Sequence, residues 1–328
     1  MRTGLMRPVS VALIMVGLIR GAWAAENGTT NYPAGSPGVF ISAFPPIPGL
    51  FAISQTNYTS SNGLYDGQGN KLPINFKLSA VSETMRFLAS YPGDFFGAHI
   101  YSQLVVPYVH LESSNPGGSF QANGFANPTF SPIILNWVSP MQSFTLGLDI
   151  MPNIGTYSAR QPLNVGTNYT TISPVLAYRY ADPKGLEVAV SPRLLLNNTN
   201  TDSVNAFTQL TQQYRSGDAL VVDFAAGYNI GAWKFGVVGG YTHQYQDDKV
   251  NGMKAFNFAG VQDGNRLRSI NAGPSLTYNA GPYQININYQ HTFYVENGSR
   301  GDTVWANLAF PIWVPAPPPP PGAGPVKH

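Results

Sequence analysis

Residues 283–295 read Tyr-Gln-Ile-Asn-Ile-Asn-Tyr-Gln-His-Thr-Phe-Tyr-Val. Taken in twos, they set Tyr283, Ile285, Ile287, Tyr289, His291, Phe293 and Val295 on one face, and Gln284, Asn286, Asn288, Gln290, Thr292 and Tyr294 on the other. Alternation of this kind belongs to a β-strand, whose successive side chains point to opposite sides. A strand this long, with aromatic residues at both ends of its apolar face and amides opposite, fits a transmembrane β-barrel better than a soluble sandwich. The apolar face then meets lipid and the amides line a lumen.

The N-terminus points to export. Arg2 and Arg7 precede the apolar run Val9–Ile19, and Ala22-Trp23-Ala24 supplies a small-x-small cleavage site, so residues 1–24 read as a signal peptide. Cleavage removes three of the 18 Lys and Arg and none of the 16 Asp and Glu, leaving a net charge of −1. Nothing in that balance suggests a nucleic-acid partner. The chain has no cysteine, so an exported fold must be held by something other than disulfides. With 10% charged residues, 12% aromatic residues and no long apolar run after the signal, helical membrane spans are absent and a closed barrel remains.

Periodicity and turn residues place about a dozen strands, near 49–60, 73–90, 96–111, 128–138, 141–152, 169–181, 185–198, 216–230, 232–247, 265–279, 282–296 and 302–313. Tight links at 92–95, 139–140, 182–184, 231 and 280–281 alternate with longer polar links at 61–72, 112–127, 153–168, 199–215, 248–264 and 297–301. Short turns at one end and long loops at the other are the asymmetry of outer-membrane barrels, whose short turns are periplasmic. The expected fold is therefore all-β, an antiparallel transmembrane barrel of about 12 strands over residues 49–313, with ten or fourteen as the neighbouring solutions. Its place is the outer membrane of a Gram-negative bacterium, its partners are lipid and a small-molecule solute, and the strand pattern leaves the oligomeric state open.

Parity assigns the lumen. Asp149, Arg179, Glu187, Arg193, Asp223 and Lys234 face inward, with Gln284, Asn286, Asn288 and Gln290, as candidates for a solute path. Arg179 and Glu187 lie across the 181–185 turn, close enough to pair. Mixed signs and many amides suit small neutral or weakly polar solutes better than a strongly ion-selective pore. The strand at 73–90 slips phase between Lys77 and Ser82, which suggests a bulge near Ala80.

Residues 25–48 are irregular. They carry Phe40, Ile41 and Phe44 with nothing of their own to pack on, so the segment is expected to fold into the lumen mouth as a plug. Residues 314–328, with prolines at 317–321, form an extended periplasmic tail. If Tyr180 pairs with Leu186, then Pro174 faces Pro192 across two strands, both toward lipid. Two residues that cannot donate to the ladder then weaken the wall and offer a lateral opening, with Ser173 opposite Arg193 on the inner face.

Asn31-Tyr32-Pro33-x-Gly35, Gly38, Pro45-Pro46-x-Pro48-Gly49 and Asp66-Gly67-x-Gly69-Asn70 resemble the meta-pathway phenol-degradation (MetA-pathway) family of outer-membrane transporter-like proteins. This signature covers about the first fifth of the exported chain. The chain departs from the family pattern in having Leu50 before Phe51 after Pro-Gly, and in its proline tail. The resemblance implies a barrel that admits aromatic or other small hydrophobic compounds.

The motifs for other chemistry are weak. His243 and His291 point outward near the loop ends, but the expected neighbours of His291, Val304 or Ala306, supply no nucleophile, so no catalytic residue is assigned and the chain is read as a non-enzyme. Asp66–Asn70 lacks the downstream acid of a calcium loop and reads as a polar hairpin. No metal-ligand spacing and no cofactor motif occurs. Two function classes remain: a channel for small organic, aromatic or hydrophobic compounds by passive diffusion, and a structural or surface-binding barrel whose lumen is closed.

Overall fold

The computed structural model describes residues 30–205, 210–257 and 261–316. The expected signal peptide and residues 317–328 of the tail lie outside them. Seventeen strands occur among the described residues: β1 (Gly49–Tyr65), β2 (Lys77–Phe95), β3 (Ala98–Asn115), β4 (Gly118–Phe125), β5 (Thr129–Val138), β6 (Gln142–Met151), β7 (Thr171–Ala181), β8 (Leu186–Asn197), β9 (Asn200–Val204), β10 (Thr211–Arg215), β11 (Ala219–Ile230), β12 (Trp233–Gln244), β13 (Lys249–Val250), β14 (Met253–Lys254), β15 (Arg268–Ala280), β16 (Tyr283–Glu296) and β17 (Gly298–Trp313). Twelve of them form the barrel wall. In the order β1-β2-β3-β5-β6-β7-β8-β11-β12-β15-β16-β17 each is antiparallel to the next, and β17 pairs back onto β1. Closure gives every wall strand a hydrogen-bonded neighbour on both sides, which lipid demands.

The five remaining strands belong to the long links. β4 continues β3 as a hairpin, and β14-β13-β10-β9 form a separate sheet over the long-loop end. The expected link at 297–301 shrinks to Asn297. β1 runs on to Tyr65, and residues 298–301 find partners along it, so they join β17 instead of looping.

The exterior is an apolar belt. Leu146, Leu176, Val188, Val237, Ile285 and Ile287 are exposed on it. Aromatic pairs close its short-turn edge, Trp233 with Tyr278 at 4.6 Å and Trp137 with Phe144 at 5.8 Å, and Tyr108 with Phe125 at 5.2 Å lies toward the other edge. Such a belt between aromatic girdles is the surface of a transmembrane barrel. Among the described residues no helix is long and apolar enough to cross a membrane; the crossing is made by strands.

Three local expectations are corrected. No bulge occurs near Ala80: the β1–β2 register runs unbroken from Gly49↔Ser90 to Ser61↔Leu78. The phase slip has another cause, because β2 extends beyond the apolar belt. There Lys77 and Ser79 face outward into a polar groove while Leu78 and Ala80 face the lumen. The bulge sits instead in β16, where the register slips between Ile270↔Tyr294 and Asn271↔Thr292. The extra residue reverses the last turn of the pattern, so Val295 is buried and Tyr294 exposed.

The third correction is the β7–β8 register. Ala181 pairs with Glu187 and Val175 with Arg193, so Pro174 and Pro192 are not opposite each other. Asp182 N–H donates to the Leu186 carbonyl at 2.7 Å, Asp182 Oδ1 accepts from Lys184 N–H at 2.7 Å, and Gly185 turns at φ 119°. This closes the turn two residues out of step with the expected pairing and leaves the parity of both strands intact. Each proline keeps a partner on its other side, Leu148↔Pro174 and Val222↔Pro192. The lateral opening thereby loses its premise of facing prolines.

Candidate functional site: the barrel lumen

The lumen is where buried polar and buried apolar groups meet, and it is shared by the wall and residues 30–48. That segment is a chain of tight turns, with Ser36 N–H donating to Pro33 O, Gly38 N–H to Gly35 O and Phe40 N–H to Pro37 O. It cannot add to a ladder, so wall side chains satisfy it. Tyr32 Oη–H donates to Asp223 Oδ2 at 2.6 Å and Gly35 N–H to Asp223 Oδ1 at 2.7 Å. Asn271 and Gln290 donate to the Ala34 and Gly35 carbonyls, each at 3.1 Å, and Gln55 to the Ser36 carbonyl at 3.1 Å. Ser42 bonds Ser143 and Thr145, and Tyr101 donates to the Pro45 carbonyl. Gly240 has to be glycine for this approach: a Cβ there would stand 2.4 Å from Gly35 N.

Apolar side chains of the segment fill the rest of its path. Val39 and Phe40 pack with Val238, Ile41 packs with Ala177 and Ala189, and Phe44 stacks on Tyr101 at 5.0 Å. The last contact, with Leu88, Ile134 and Phe51, closes the short-turn end.

The predicted inward charges resolve into two groups. Arg193 Nη1 lies 2.9 Å from Asp149 and its Nε 3.7 Å from Asp223, while its guanidinium sits 3.7 Å from the centre of the Tyr32 ring. Ser131 also donates to Asp149, at 2.5 Å. Nearer the short turns, Glu187 accepts from Arg179 at 3.1 Å and Lys234 at 2.9 Å. Buried charges of this kind hold only when paired and hydrogen-bonded; both groups are ion-paired, and Arg193 meets the condition through Nη1 while its Nε makes no hydrogen bond.

The predicted amides form a network instead of a free wet surface. Gln55 donates to Asn307, Asn307 and Asn288 to Asn286, and Gln290 to Asn288, at 2.9–3.2 Å. Asn286 also donates to Ser275 and Thr277. Gln284 stands apart near the short turns, bonded to Asn279 at 2.7 Å.

One side of the lumen is not filled by protein side chains. A cavity of about 440 Å³ runs from the long-loop end, at Asn127, Asn164 and Thr167, down to Phe40, Ile41 and Phe44. Its outer wall is β1, β2 and β3, with Val105, Pro107, Val109 and Leu111 as an apolar stripe and Trp305 beside it. Of the predicted path residues only Asp149 and Arg193 line it. Arg179, Glu187, Asp223, Lys234 and the four amides lie elsewhere, under or behind the segment. Sequence reasoning passed over Tyr32 and Arg86, although the polar parity of Ser82, Thr84 and Arg86 marked that strand face as inward.

On the outer surface, His291 faces Asp302 and not Val304 or Ala306, with Nδ1 to Oδ1 at 2.7 Å. The β16–β17 ladder ends at that pair, because beyond it residues 298–301 pair with β1 while Thr292, Tyr294, Val295 and Glu296 pair with β15. Tyr289 also donates to Asp302, and the other nitrogen of His291 approaches Arg300 at 3.5 Å. Asp66 uses its carboxylate on Gln68 and Asn70 N–H, as a turn residue does.

Among solved structures, the fold is similar to the COG4313 outer membrane channel from Pseudomonas putida F1, with a TM-score of 0.72 at 15% identity over 84% of this chain and 98% of that one. The transport unit of the autotransporter AIDA-I from Escherichia coli matches with a TM-score of 0.48 at 9% identity, over 84% of this chain and 93% of that one. A Pseudomonas aeruginosa FadL homologue matches at 0.43 and 12% identity, over 88% of this chain and 98% of that one. No curated protein matches the sequence. The N-terminal motifs up to Gly49 precede the region that a family model recognises, so the strands themselves carry the match. The chain belongs to the family described as "Putative MetA-pathway of phenol degradation", whose model matches residues 61–308.

Proposed function

We propose that this barrel is an outer-membrane channel through which small organic solutes with an aromatic or other apolar body pass by diffusion, and that residues 30–48 act as its plug. The observation that carries the reading is the 440 Å³ cavity, which reaches the long-loop end, is apolar along β3, and is floored by a segment that is not part of the wall. Its size falls in the range of roughly 300–1,000 Å³ typical of small-molecule sites. The ion-paired charges of the lumen, Arg193 with Asp149 and Asp223 and Glu187 with Arg179 and Lys234, cancel in sign, which leaves Arg86 as one uncompensated charge and a weak basis for ion selectivity. A small shift of Phe40, Ile41 and Phe44 connects the cavity to the other end without breaking any strand pairing. No catalytic role is proposed.

A second reading rests on the same segment. Phe44 stacked on Tyr101 and the many bonds to residues 31–45 favour a barrel that stays closed and serves structurally or by surface binding. Liposome swelling with a neutral aromatic solute and planar-bilayer conductance separate the two. The channel reading expects measurable flux; loss of both signals in correctly inserted protein supports the closed barrel.

A further inference from the structure

Arg86 is the unexplained charge of the lumen. It projects from β2 into the cavity, half-buried, and its hydrogen bond goes to Gln103 Oε1. Among the described residues no carboxylate reaches salt-bridge distance of it, although Arg179, Arg193 and Lys234 are each paired with an acid. Asp149, on the opposite wall of the cavity, already accepts from Arg193 and Ser131. A guanidinium has five donors in a planar fork that matches a carboxylate. A charge held away from bulk water and left without a partner is costly, and a bound anion removes that cost.

The surroundings narrow the anion. Above Arg86 the wall is Val105, Pro107, Val109 and Leu111, and Tyr32, Phe40 and Trp305 border the same space. A small inorganic anion leaves these surfaces wet, whereas an aromatic or branched apolar body covers them. A single unpaired cation matches one negative charge.

We propose that Arg86 is the anion receptor of a binding site for apolar monocarboxylates, an aromatic acid being the best fit, with the carboxylate on the Arg86 guanidinium and the apolar body along β3. This deepens the channel reading and rests on it for the solute's passage, but not for its binding. Burial also makes the site selective: Arg86 rejects a neutral analogue less by repulsion than by losing the charge-assisted bonds it makes to the acid.

The test uses the full-length barrel in detergent at pH 7, titrated calorimetrically with benzoate, benzyl alcohol, acetate and inorganic phosphate. Benzoate is expected to bind about ten- to a hundredfold more tightly than any of the other three, the value of a hydrogen bond to a charged group. Arg86→Gln should remove that margin for benzoate and leave benzyl alcohol unchanged, and Arg86→Lys should restore part of it. Val109→Trp, which fills the stripe without touching the charge, should weaken benzoate and benzyl alcohol together and provides a check should Arg86→Gln fail to fold. Equal binding of benzoate and benzyl alcohol, or benzoate affinity unchanged in Arg86→Gln, overturns the proposal. Phosphate binding as tightly as benzoate reduces the site to a plain anion site and overturns it as well. Flux is read separately by liposome swelling: flux of benzyl alcohol without benzoate binding sinks the receptor and keeps the channel, while Arg86-dependent benzoate binding without flux of any solute does the reverse.

Discussion

Asp223 is the strongest mooring of the lumen segment, and its removal makes a quantitative prediction. In Asp223→Ala, Tyr32 Oη–H and Gly35 N–H lose their acceptor, at 2.6 and 2.7 Å, and Arg193 loses one of two nearby carboxylates. The Arg193 loss is felt whether the segment is in or out, because Asp149 remains 2.9 Å away in the wall. The two bonds from the segment exist only when it is docked. Hydrogen bonds to a charged group contribute roughly 1.5–3 kcal/mol each, so docking should weaken by about 3–6 kcal/mol. Every 1.4 kcal/mol is about tenfold, so the undocked population should rise by at least about a hundredfold. Two readouts follow it in the same preparation: opening frequency in planar bilayers, and the maleimide labelling rate of a Ser36→Cys probe, which is clean because the chain has no native cysteine. Both should increase together. A correctly inserted Asp223→Ala barrel with unchanged opening and unchanged labelling would refute the idea that this anchor holds the plug.

Deletion of residues 30–48 should raise single-channel conductance severalfold, since it empties the part of the lumen the segment fills; unchanged conductance shows that the constriction lies in the wall. Gly240→Val should displace the segment sterically at Ala34 and Gly35, where even a Cβ meets Gly35 N at 2.4 Å, and should reproduce the Asp223→Ala phenotype without altering charge. Glu187→Gln leaves Arg179 and Lys234 without their shared carboxylate; breaking a buried pair costs about 3–5 kcal/mol, so the temperature at which the folded band is lost on unboiled gels should fall. Cysteines at Val175 and Arg193, which are direct partners in β7 and β8, should crosslink on oxidation more readily than cysteines at Ser173 and Arg193, and the reverse result would contradict the register.

Much of the barrel was legible in the sequence because lipid on one side and a lumen on the other write themselves into a period of two. Each of the twelve wall strands covers a stretch read from alternation, and Asp149, Arg193, Asp223, Asn286 and Asn288 are buried in the lumen as parity required. Face assignment is local: it needs only neighbouring residues and survives an error in register by two, as the β7–β8 turn demonstrates. Register itself is not local. It is set where a turn closes, as at Asp182 and Gly185, and where a partner strand extends far enough to recruit residues, as β1 does for residues 298–301. The bulge in β16 likewise answers to β15 and leaves no mark in the alternation of residues 283–295.

The functional surface depended on tertiary structure for the same reason. The sequence says that Asn286, Asn288 and Gln290 face inward, but only the fold shows that they bond one another and that Gln290 also bonds the carbonyl of Gly35. Asp223 and Tyr32 are 191 positions apart, and their contact exists only because the segment turns back into the closed barrel. Arg86 reads locally as one more inward polar residue of β2. That it alone among Arg86, Arg179, Arg193 and Lys234 faces the cavity with no acid at salt-bridge distance is decided by which strands the closed wall places around it, a property of distances across the lumen that no run of neighbouring residues encodes.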